Sequence, residues 1–473
     1  MEKTHKFTDT IFALSSGTVP AGVAVLRVSG PEASRCFAMF HVKQPVPRFA
    51  QLCELKDDQG RMLDQALVLW FPAPHSFTGE DVVELHLHGS LAVLDIVFEI
   101  LGARPGWRMA DAGEFTRRAF ENGHMDMTEV EGLGDLLQAQ TQAQHAQALN
   151  QYSGVMSALY EGWRTDLLKL RAAVEADFDF ADEEDVSGSV ADEVSQHAKA
   201  LADDIKIYLD DGRRGEIIRE GLKVVLAGKP NVGKSSLMNE LARRDLAIVT
   251  DTPGTTRDVL TVSLNLDGQL IILSDTAGIR DAQDAIEQEG IRRAELAIHS
   301  ADVVLWLEDI RPDAQDAKNV EGEAQKLDSA PFLSKLSGAQ IIRVTTKVDL
   351  LDDASSLVQN DQKRSISVKT GFGIEGLLHT LSRFGSGLNL DGNGENMAAP
   401  TLGREGAVIT RQRHRLALQQ CVIELQGAGD ETIALEFRVE YLRRASDALG
   451  VILGRIGVED ILGQIFSDFC IGK

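Results

Sequence analysis

Cysteine is scarce in this 473-residue chain: Cys36, Cys53, Cys421 and Cys470 are its only four, far apart and without a C-x-x-C pair. That spacing excludes a disulfide framework and a zinc knuckle, and it fits a reducing compartment. Long apolar runs are missing as well, because nowhere do the roughly 18 apolar residues of a membrane span follow one another. The opening MEKTHKFTDTIFALSSG lacks the apolar centre of a signal peptide. These absences predict a cytoplasmic protein with no membrane partner. Positive charge is the third shortage, with 48 Lys+Arg against 72 Asp+Glu and a formal net charge of −24. A protein that coats polyanions is excluded, since nonspecific nucleic-acid binding neutralises phosphates with cations. RNA contact would have to use a local basic patch. TRQRHR, with Arg411, Arg413 and Arg415, and the pair Arg443-Arg444 are segments of that kind, although a solvated helix face explains them equally well.

At about 100–200 residues per domain, the length predicts about three domains. Between residues 10 and 120, GVAVLRVSG, QALVLWFPAP and DVVELHLHGS alternate or run apolar between Gly/Pro punctuation, the pattern of strands in an α+β domain. A helical stripe follows at Leu159, Trp163, Leu167, Leu170 and Val174, and another at Val190, Val194, Ala198, Leu201, Ile205 and Tyr208, closed by Gly212 as a C-terminal cap. The acidic DFDFADEEDV between the stripes reads as a solvated loop. From Leu222 to about Phe384 the texture is βα alternation, with LKVVLAG, TVSLNL, LIILSD, DVVLWLED and QIIRVTT as strands of a doubly wound domain. GSGLNLDGNGEN resembles a linker, after which helical patterns resume. The fold expected is multidomain: an α+β domain over 1–122, an all-α domain in two parts, 123–217 and 385–473, and an α/β P-loop domain over 218–384 inserted between them.

Gly228-Lys-Pro-Asn231-Val232-Gly233-Lys234-Ser235 matches G-x4-G-K-[ST], follows an apolar strand and opens a helix that continues through Ser236. The glycines let backbone N–H groups curl around phosphates, Lys234 reaches the terminal phosphates and Ser235 can hold Mg2+. Asp275-Thr276-Ala277-Gly278 supplies a carboxylate for the magnesium shell and a glycine N–H that senses a γ-phosphate, with Thr256 the natural second metal ligand. Thr346-Lys347-Val348-Asp349 is similar to the base-reading N-K-x-D of GTPases, with Thr in the first place. The Asp349 carboxylate can accept from N1–H and the 2-amino group of guanine, which adenine cannot offer. Ser367-Val368-Lys369 stands where a second base-contacting loop belongs, though an ordinary loop is as good a reading. Ile279 stands where Ras-like proteins carry the glutamine that orients water. Another group must do so or hydrolysis is slow, and Glu287, further along the same segment, is a candidate, although on spacing alone an exposed helical glutamate is the better reading.

GVAVLRVSG, SFTGEDVVELHLHGS, AGEFTRRAFENG, DFADEED, GKPNVGKSSLMNELARRDLAIVTDTPGTTRD, DTAGIRD and the terminal FCIGK together resemble the MnmE (TrmE) family of tRNA-modifying GTPases over essentially the whole chain. The GTPase motifs are shared with many families, whereas the N-terminal segments and the terminal cysteine are far more specific. The resemblance implies an N-terminal domain that binds a tetrahydrofolate derivative, in its 5-formyl or methylene form, and forms a homodimer. Arg27, Glu84 and Lys473 would contact the folate, together with His124 at a position that is usually Lys in the family. It implies K+ in place of an arginine finger, held by Asn231, Thr250, Thr252 and Thr255, and Glu287 as the residue that orients water. The implied activity is GTP hydrolysis, with tRNA and the FAD-dependent partner MnmG (GidA), in a heterotetramer or larger complex, adding an aminomethyl or carboxymethylaminomethyl group to C5 of the wobble uridine. Cys470 is excluded as a prenylation site by the Lys473 that ends the chain, and on the residues alone it is a packing cysteine by default. The FCIGK match implies a functional thiol instead. The rival reading is a regulatory GTPase that binds RNA or ribosomes without altering a nucleotide; binding of a reduced folate separates the two.

Overall fold

Alternation governs the N-terminal half. The computed structural model describes residues 7–179, 190–211, 213–228, 231–244, 246–248, 261–275, 300–311, 339–351, 360, 362–386 and 407–456, and then 462, 463, 465, 466, 469 and 472. Strands β1 (Thr10–Leu14), β2 (Ala21–Ser29), β3 (Gln51–Lys56), β4 (Met62–Phe71), β5 (Val82–Gly89) and β6 (Trp107–Met109) form one sheet in the order β3-β4-β5-β2-β1-β6. Every pairing is antiparallel except β1 with β6. On β2, Ala24, Leu26 and Val28 point inward, and on β5 Val83, Leu85 and Leu87 do. Helices α1 (Cys36–Met39) and α2 (Leu91–Gly102) cover that face with Cys36, Phe37, Leu94, Val97 and Leu101. Each buried Leu or Val contributes about 1.5–3 kcal/mol, enough to fix the register, since a one-residue slip would turn the row to solvent. Arg27 and Glu84 therefore share the opposite face.

Helix α3 (Glu114–Glu121) lies against that opposite face, with Phe115 packed beside Ile11 and Ala13. Arg118 holds it there: the guanidinium is fully buried and bonds Asp9 at 2.8 Å, Glu80 at 3.1 Å and Glu114 at 2.9 Å. Removing one partner of a buried pair such as Arg118–Glu80 costs about 3–5 kcal/mol, because an uncompensated charge is left behind. Helices α4 (Met127–Gln138), α5 (Gln142–Tyr152) and α6 (Val155–Asp179) follow. Asp126 caps α4 by accepting from the N–H groups of Thr128 and Glu129, while Glu129 accepts from the Asp126 N–H, a reciprocal capping box. On α6 the expected stripe is buried at Trp163, Leu167, Leu170 and Val174, and Met156 and Tyr160 extend it. The helix runs to Asp179, so the first residues of the acidic stretch are helical; the rest of that stretch, like Gly212, lies outside the described residues.

Helices α7 (Val190–Leu209) and α8 (Arg214–Glu220) lead into the second sheet. Its strands are β7 (Leu222–Gly228), β8 (Thr261–Leu266), β9 (Gln269–Asp275), β10 (Val303–Asp309), β11 (Gln340–Thr346) and β12 (Lys363–Ser365), in the order β12-β11-β10-β7-β9-β8. All pairs are parallel except β8 with β9. A parallel sheet is buried on both faces: helices α9 (Lys234–Ala242) and α10 (Ile374–Gly385) cover one through Leu237, Leu241, Leu377 and Leu381, and Val225, Ala227 and Val304 face the other. Helices α11 (Gln412–Ala428) and α12 (Leu435–Ile452) follow, and α11 packs along α7, where the Ser195 hydroxyl donates to the Gly429 carbonyl at 2.7 Å. The chain forms two compact units: Met1–Gly134, Gln151–Glu184 and Val439–Lys473 make one, with the first sheet, and Asp135–Asn150 and Asp185–Arg438 make the other, with the second. Among the described residues no helix is long and apolar enough to cross a membrane.

Candidate nucleotide site and the N-terminal ion pair

Ligands of doubly wound sheets bind beyond the carboxyl ends of the strands, and the predicted motifs gather there in the second unit. At the end of β7, Gly228 has φ +143°, and a Cβ on it would lie 2.3 Å from the Leu307 carbonyl oxygen of β10. Only glycine fits. The chain then turns through Asn231 at φ 64° and Gly233 at φ 103° into α9. Lys234, the first residue of that helix, is buried and donates from Nζ to the Gly228 carbonyl at 2.9 Å, closing the loop on itself. Ser235 donates from Oγ to Oδ2 of Asp275 at 3.0 Å. Asp275 is the last residue of β9 and stands beside Leu226 of β7, so strand register brings the carboxylate to the loop.

The Thr346–Asp349 segment, expected to read the base, leaves the same end of the sheet. Thr346, at the end of β11, is buried, with its hydroxyl 2.6 Å from the Val232 carbonyl and 3.1 Å from the Glu308 carbonyl. A hydroxyl carries one proton, and the shorter contact ties this segment to the phosphate loop. Asp349 accepts at Oδ1 from the Ser367 hydroxyl at 2.6 Å, and Ser367 in turn accepts from the Thr370 N–H at 3.2 Å. Ser367 is fully buried, so the Asp349 carboxylate is oriented from below. Val368 packs against the core and Lys369 is exposed. Ser236 is exposed on the first turn of α9. Asn at position 346 would keep the bond to Val232 with one amide hydrogen and free the other for the base. Thr346→Asn should therefore tighten GDP binding several-fold in a fluorescent-nucleotide titration, and weaker binding would show that this loop is built differently. Thr250, Thr252, Thr255, Thr256, Thr276, Ala277, Gly278, Ile279, Glu287, Cys470 and Lys473 lie outside the described residues.

In the first unit, register brings together two residues 57 apart in sequence: Arg27 of β2 is directly opposite Glu84 of β5. The guanidinium donates from Nε at 3.1 Å and Nη2 at 3.0 Å, both to Glu84 Oε1. Its carbon is 5.2 Å from the centre of the Phe77 ring and 5.7 Å from that of Phe115. Among the described residues Glu84 Oε2 has a long contact with His86 Nε2, at 3.5 Å. His124 is exposed, and its ring lies against Gly79, where a Cβ would come within 2.7 Å of it. The C-terminal end returns to the same sheet. The Ser15 hydroxyl donates to the Gly472 carbonyl at 2.8 Å, and a Cβ on Gly472, at φ +99°, would sit 2.0 Å from the Leu14 carbonyl oxygen. Since β1 pairs Ala13 with Arg27, Gly472 lies at the end of the strand beside the one that carries the guanidinium. Phe469 anchors the tail in a cluster with Phe466 and Val130.

The family model for the MnmE helical domain matches residues 127–470, and that for the GTP-binding protein TrmE N-terminus matches residues 10–124. The chain belongs to the MnmE family. It is 47% identical to the tRNA modification GTPase MnmE of Agrobacterium fabrum, across 98% of this chain and 99% of the relative, and 44% identical to that of Brucella ovis across the whole of both. The G domain of the T. maritima FeoB iron transporter is 25% identical and covers 34% of this chain and 98% of its own, with a TM-score of 0.25.

In this MnmE-family chain the two basic segments differ, Arg443-Arg444 fitting the solvated helix face and TRQRHR neither reading. Arg415 is largely buried, bonded to Asp211 at 2.7 Å and Glu216 at 2.8 Å, and Arg411 is bonded to Asp135 at 2.9 Å. Their charge is neutralised inside the second unit and TRQRHR is not a free basic patch; spacing alone did not reveal acids more than 190 residues away in sequence. Among the described residues Arg443 and Arg444 pair with Glu440 and Asp447 on the exposed face of their own helix, contacts worth little.

The cysteines also sort themselves. Burial pushes the thiols of Cys36 and Cys421 up to about 12, so neither has thiolate character near neutral pH. Burial raises Cys53 too. These three are packing or surface cysteines.

Proposed function

We propose that this MnmE-family GTPase modifies the wobble uridine of tRNA at C5, using the FAD-dependent partner MnmG and a one-carbon unit from a tetrahydrofolate derivative. The observation that carries the reading is the convergence on one sheet edge of the Lys234 loop, the Ser235–Asp275 pair and the Asp349 carboxylate steadied by Ser367. In the proposed division of the chain, residues 1–122 bind the folate and form the homodimer, 218–384 hydrolyse GTP, and 123–217 with 385–473 form the helical part, ending in the Cys470 motif.

Ser235 and Asp275 fit a magnesium ion, a hard cation that takes oxygen donors, and Ser235 with Thr256 would hold it beside the phosphates. Lys234 exchanges its bond to the Gly228 carbonyl for a terminal phosphate. Hard oxygen donors from Asn231, Thr250, Thr252 and Thr255 suit K+, which stabilises developing negative charge between the β- and γ-phosphates when bound. Glu287 orients water in the place of the glutamine that Ile279 cannot replace. In the first unit, a polar ion pair flanked by two aromatic rings fits a flat heterocycle: Glu84 Oε2 accepts from its N–H groups and Arg27 fixes the carboxylate, with His124 and Lys473 at the remaining positions. The tetrahydrofolate derivative supplies the one-carbon unit.

Turnover should be strongly faster in K+ than in Na+ at equal ionic strength. Glu287→Ala should keep nucleotide binding and lose at least about a hundredfold in single-turnover hydrolysis, since the interaction is made mainly in the transition state. Equal rates in the two salts would count against the Asn231 assignment, and an unchanged single-turnover rate would return Glu287 to an ordinary helical glutamate.

A further inference from the structure

Asp309, the last residue of β10, belongs to none of the sequence motifs. It stands directly opposite Thr346 in the β10–β11 register, and the Ile310 N–H donates to the Thr346 carbonyl at 3.2 Å. Its carboxylate is locked from its own chain: Oδ1 accepts from the Arg311 N–H at 3.0 Å and from Arg311 Nε at 3.3 Å, and Oδ2 accepts from Arg311 Nη2 at 3.0 Å. Oδ2 also accepts from Lys347 Nζ at 2.7 Å. Donation by Arg311, and then by Lys347, holds the carboxyl well below the usual range, so it is charged at any working pH. The same Lys347 ammonium donates to the Asn231 carbonyl of the phosphate loop at 2.7 Å.

We propose that Asp309 is a positioning residue for guanine-nucleotide binding, holding the Lys347 ammonium against the Asn231 carbonyl so that the base-reading and phosphate-binding loops keep a fixed spacing.

An ion pair at a half-open surface is commonly worth little, but three features separate this one from that class. Lys347 and Asn231 both occupy the left-handed region, at φ 60° and 64°, a conformation that asparagine tolerates and lysine disfavours. The Lys347–Asn231 bond joins these two turns, so it opposes the relaxation of either loop. The Asp309 carboxylate is also oriented before the lysine reaches it, because Arg311 is two residues along the same chain. Finally, the two loops contact opposite ends of a nucleotide. A tether between them reduces what must be ordered on binding, and its loss lowers affinity without removing any ligand contact.

The inference rests on the reading of residues 346–349 as the base-recognition segment, and the test separates the two. Fluorescent GDP is titrated into the full chain, the wild type, Asp309→Asn, Lys347→Met and the double variant, with thermal midpoints recorded alongside. Asp309→Asn should weaken GDP about tenfold through faster release, at an unchanged midpoint, with Lys347→Met at least as weak. The double variant should bind no more weakly than Lys347→Met alone, because Asp309 acts only through that ammonium. A merely structural role would instead lower the midpoint and add its loss to that of Lys347→Met, which would overturn the proposal. Wild-type affinity in Asp309→Asn with weakened binding in Lys347→Met would overturn it while leaving the base-recognition reading intact. Wild-type affinity in Lys347→Met would overturn both.

Discussion

Asp349→Asn should convert a guanine-selective site into one that prefers xanthine nucleotides. In the proposed role the Asp349 carboxylate would accept from two donors of guanine, N1–H and the 2-amino group, and an amide would present one acceptor and one donor in its place. Ser367 decides which way the amide turns. Its hydroxyl donates to Asp349 Oδ1 at 2.6 Å, so the amide carbonyl takes that bond and the NH2 is directed at the base, where it meets the 2-amino group of guanine but the 2-oxo group of xanthine. Losing charge-assisted bonds and gaining a donor–donor clash should weaken GDP by about a hundredfold or more, while XDP gains. Parallel titrations with fluorescent GDP and XDP read this directly. A variant that still favours GDP by the wild-type margin would show that the Thr346–Asp349 segment does not read the base.

The second large effect concerns the terminal cysteine. Cys36 and Cys421 are fully buried, with thiols pushed up to about 12, and Cys53 is raised as well. If the chain uses a thiol in chemistry, Cys470 is the one that the other three leave. Its neighbours Phe469 and Gly472 are tied to the first unit, Gly472 at the end of the strand beside Arg27. The chemistry proposed for Cys470 is thiolate attack at uracil C6: an S–C6 bond forms, the C5–C6 π electrons move toward the C4 carbonyl, and C5 becomes nucleophilic. C5 would then bond to the electrophilic one-carbon unit, whose carrier nitrogen takes the bonding pair as it leaves, and loss of the C5 proton with expulsion of the thiolate from C6 would restore the ring. A hydroxyl is a far weaker nucleophile at neutral pH. Cys470→Ser should leave folding, K+-stimulated hydrolysis and reduced-folate binding intact, and reduce modified wobble uridine to the level of a deletion strain. Wild-type nucleoside levels in the serine variant would leave only a packing role.

What the sequence made legible follows from the range of each interaction. The phosphate loop is local: Gly228, Gly233 and Lys234 fall within seven residues, and their backbone demands are carried by residue type. The apolar faces of β2, β5 and α6 were equally readable, because periodicity is local too. Arg27 and Glu84 were unremarkable one at a time, as polar residues on the outward face of alternating strands, and only the β2–β5 register makes them a pair. Ser367 reads as an ordinary loop serine until it is placed beneath Asp349, 18 residues earlier. Asp309 gave no signal at all, because its value lies in strand adjacency. The basic TRQRHR segment failed for the same reason in reverse, since its partners Asp135, Asp211 and Glu216 are remote in sequence.

The proposed role of the GTPase of this chain is modification of the tRNA wobble uridine. Its most direct test is mass spectrometry of tRNA nucleosides from a strain that lacks the chain, with and without the wild-type copy restored. The aminomethyl or carboxymethylaminomethyl group at C5 should disappear in the deletion strain and return with the restored copy. An unchanged wobble nucleoside in the deletion strain would contradict it.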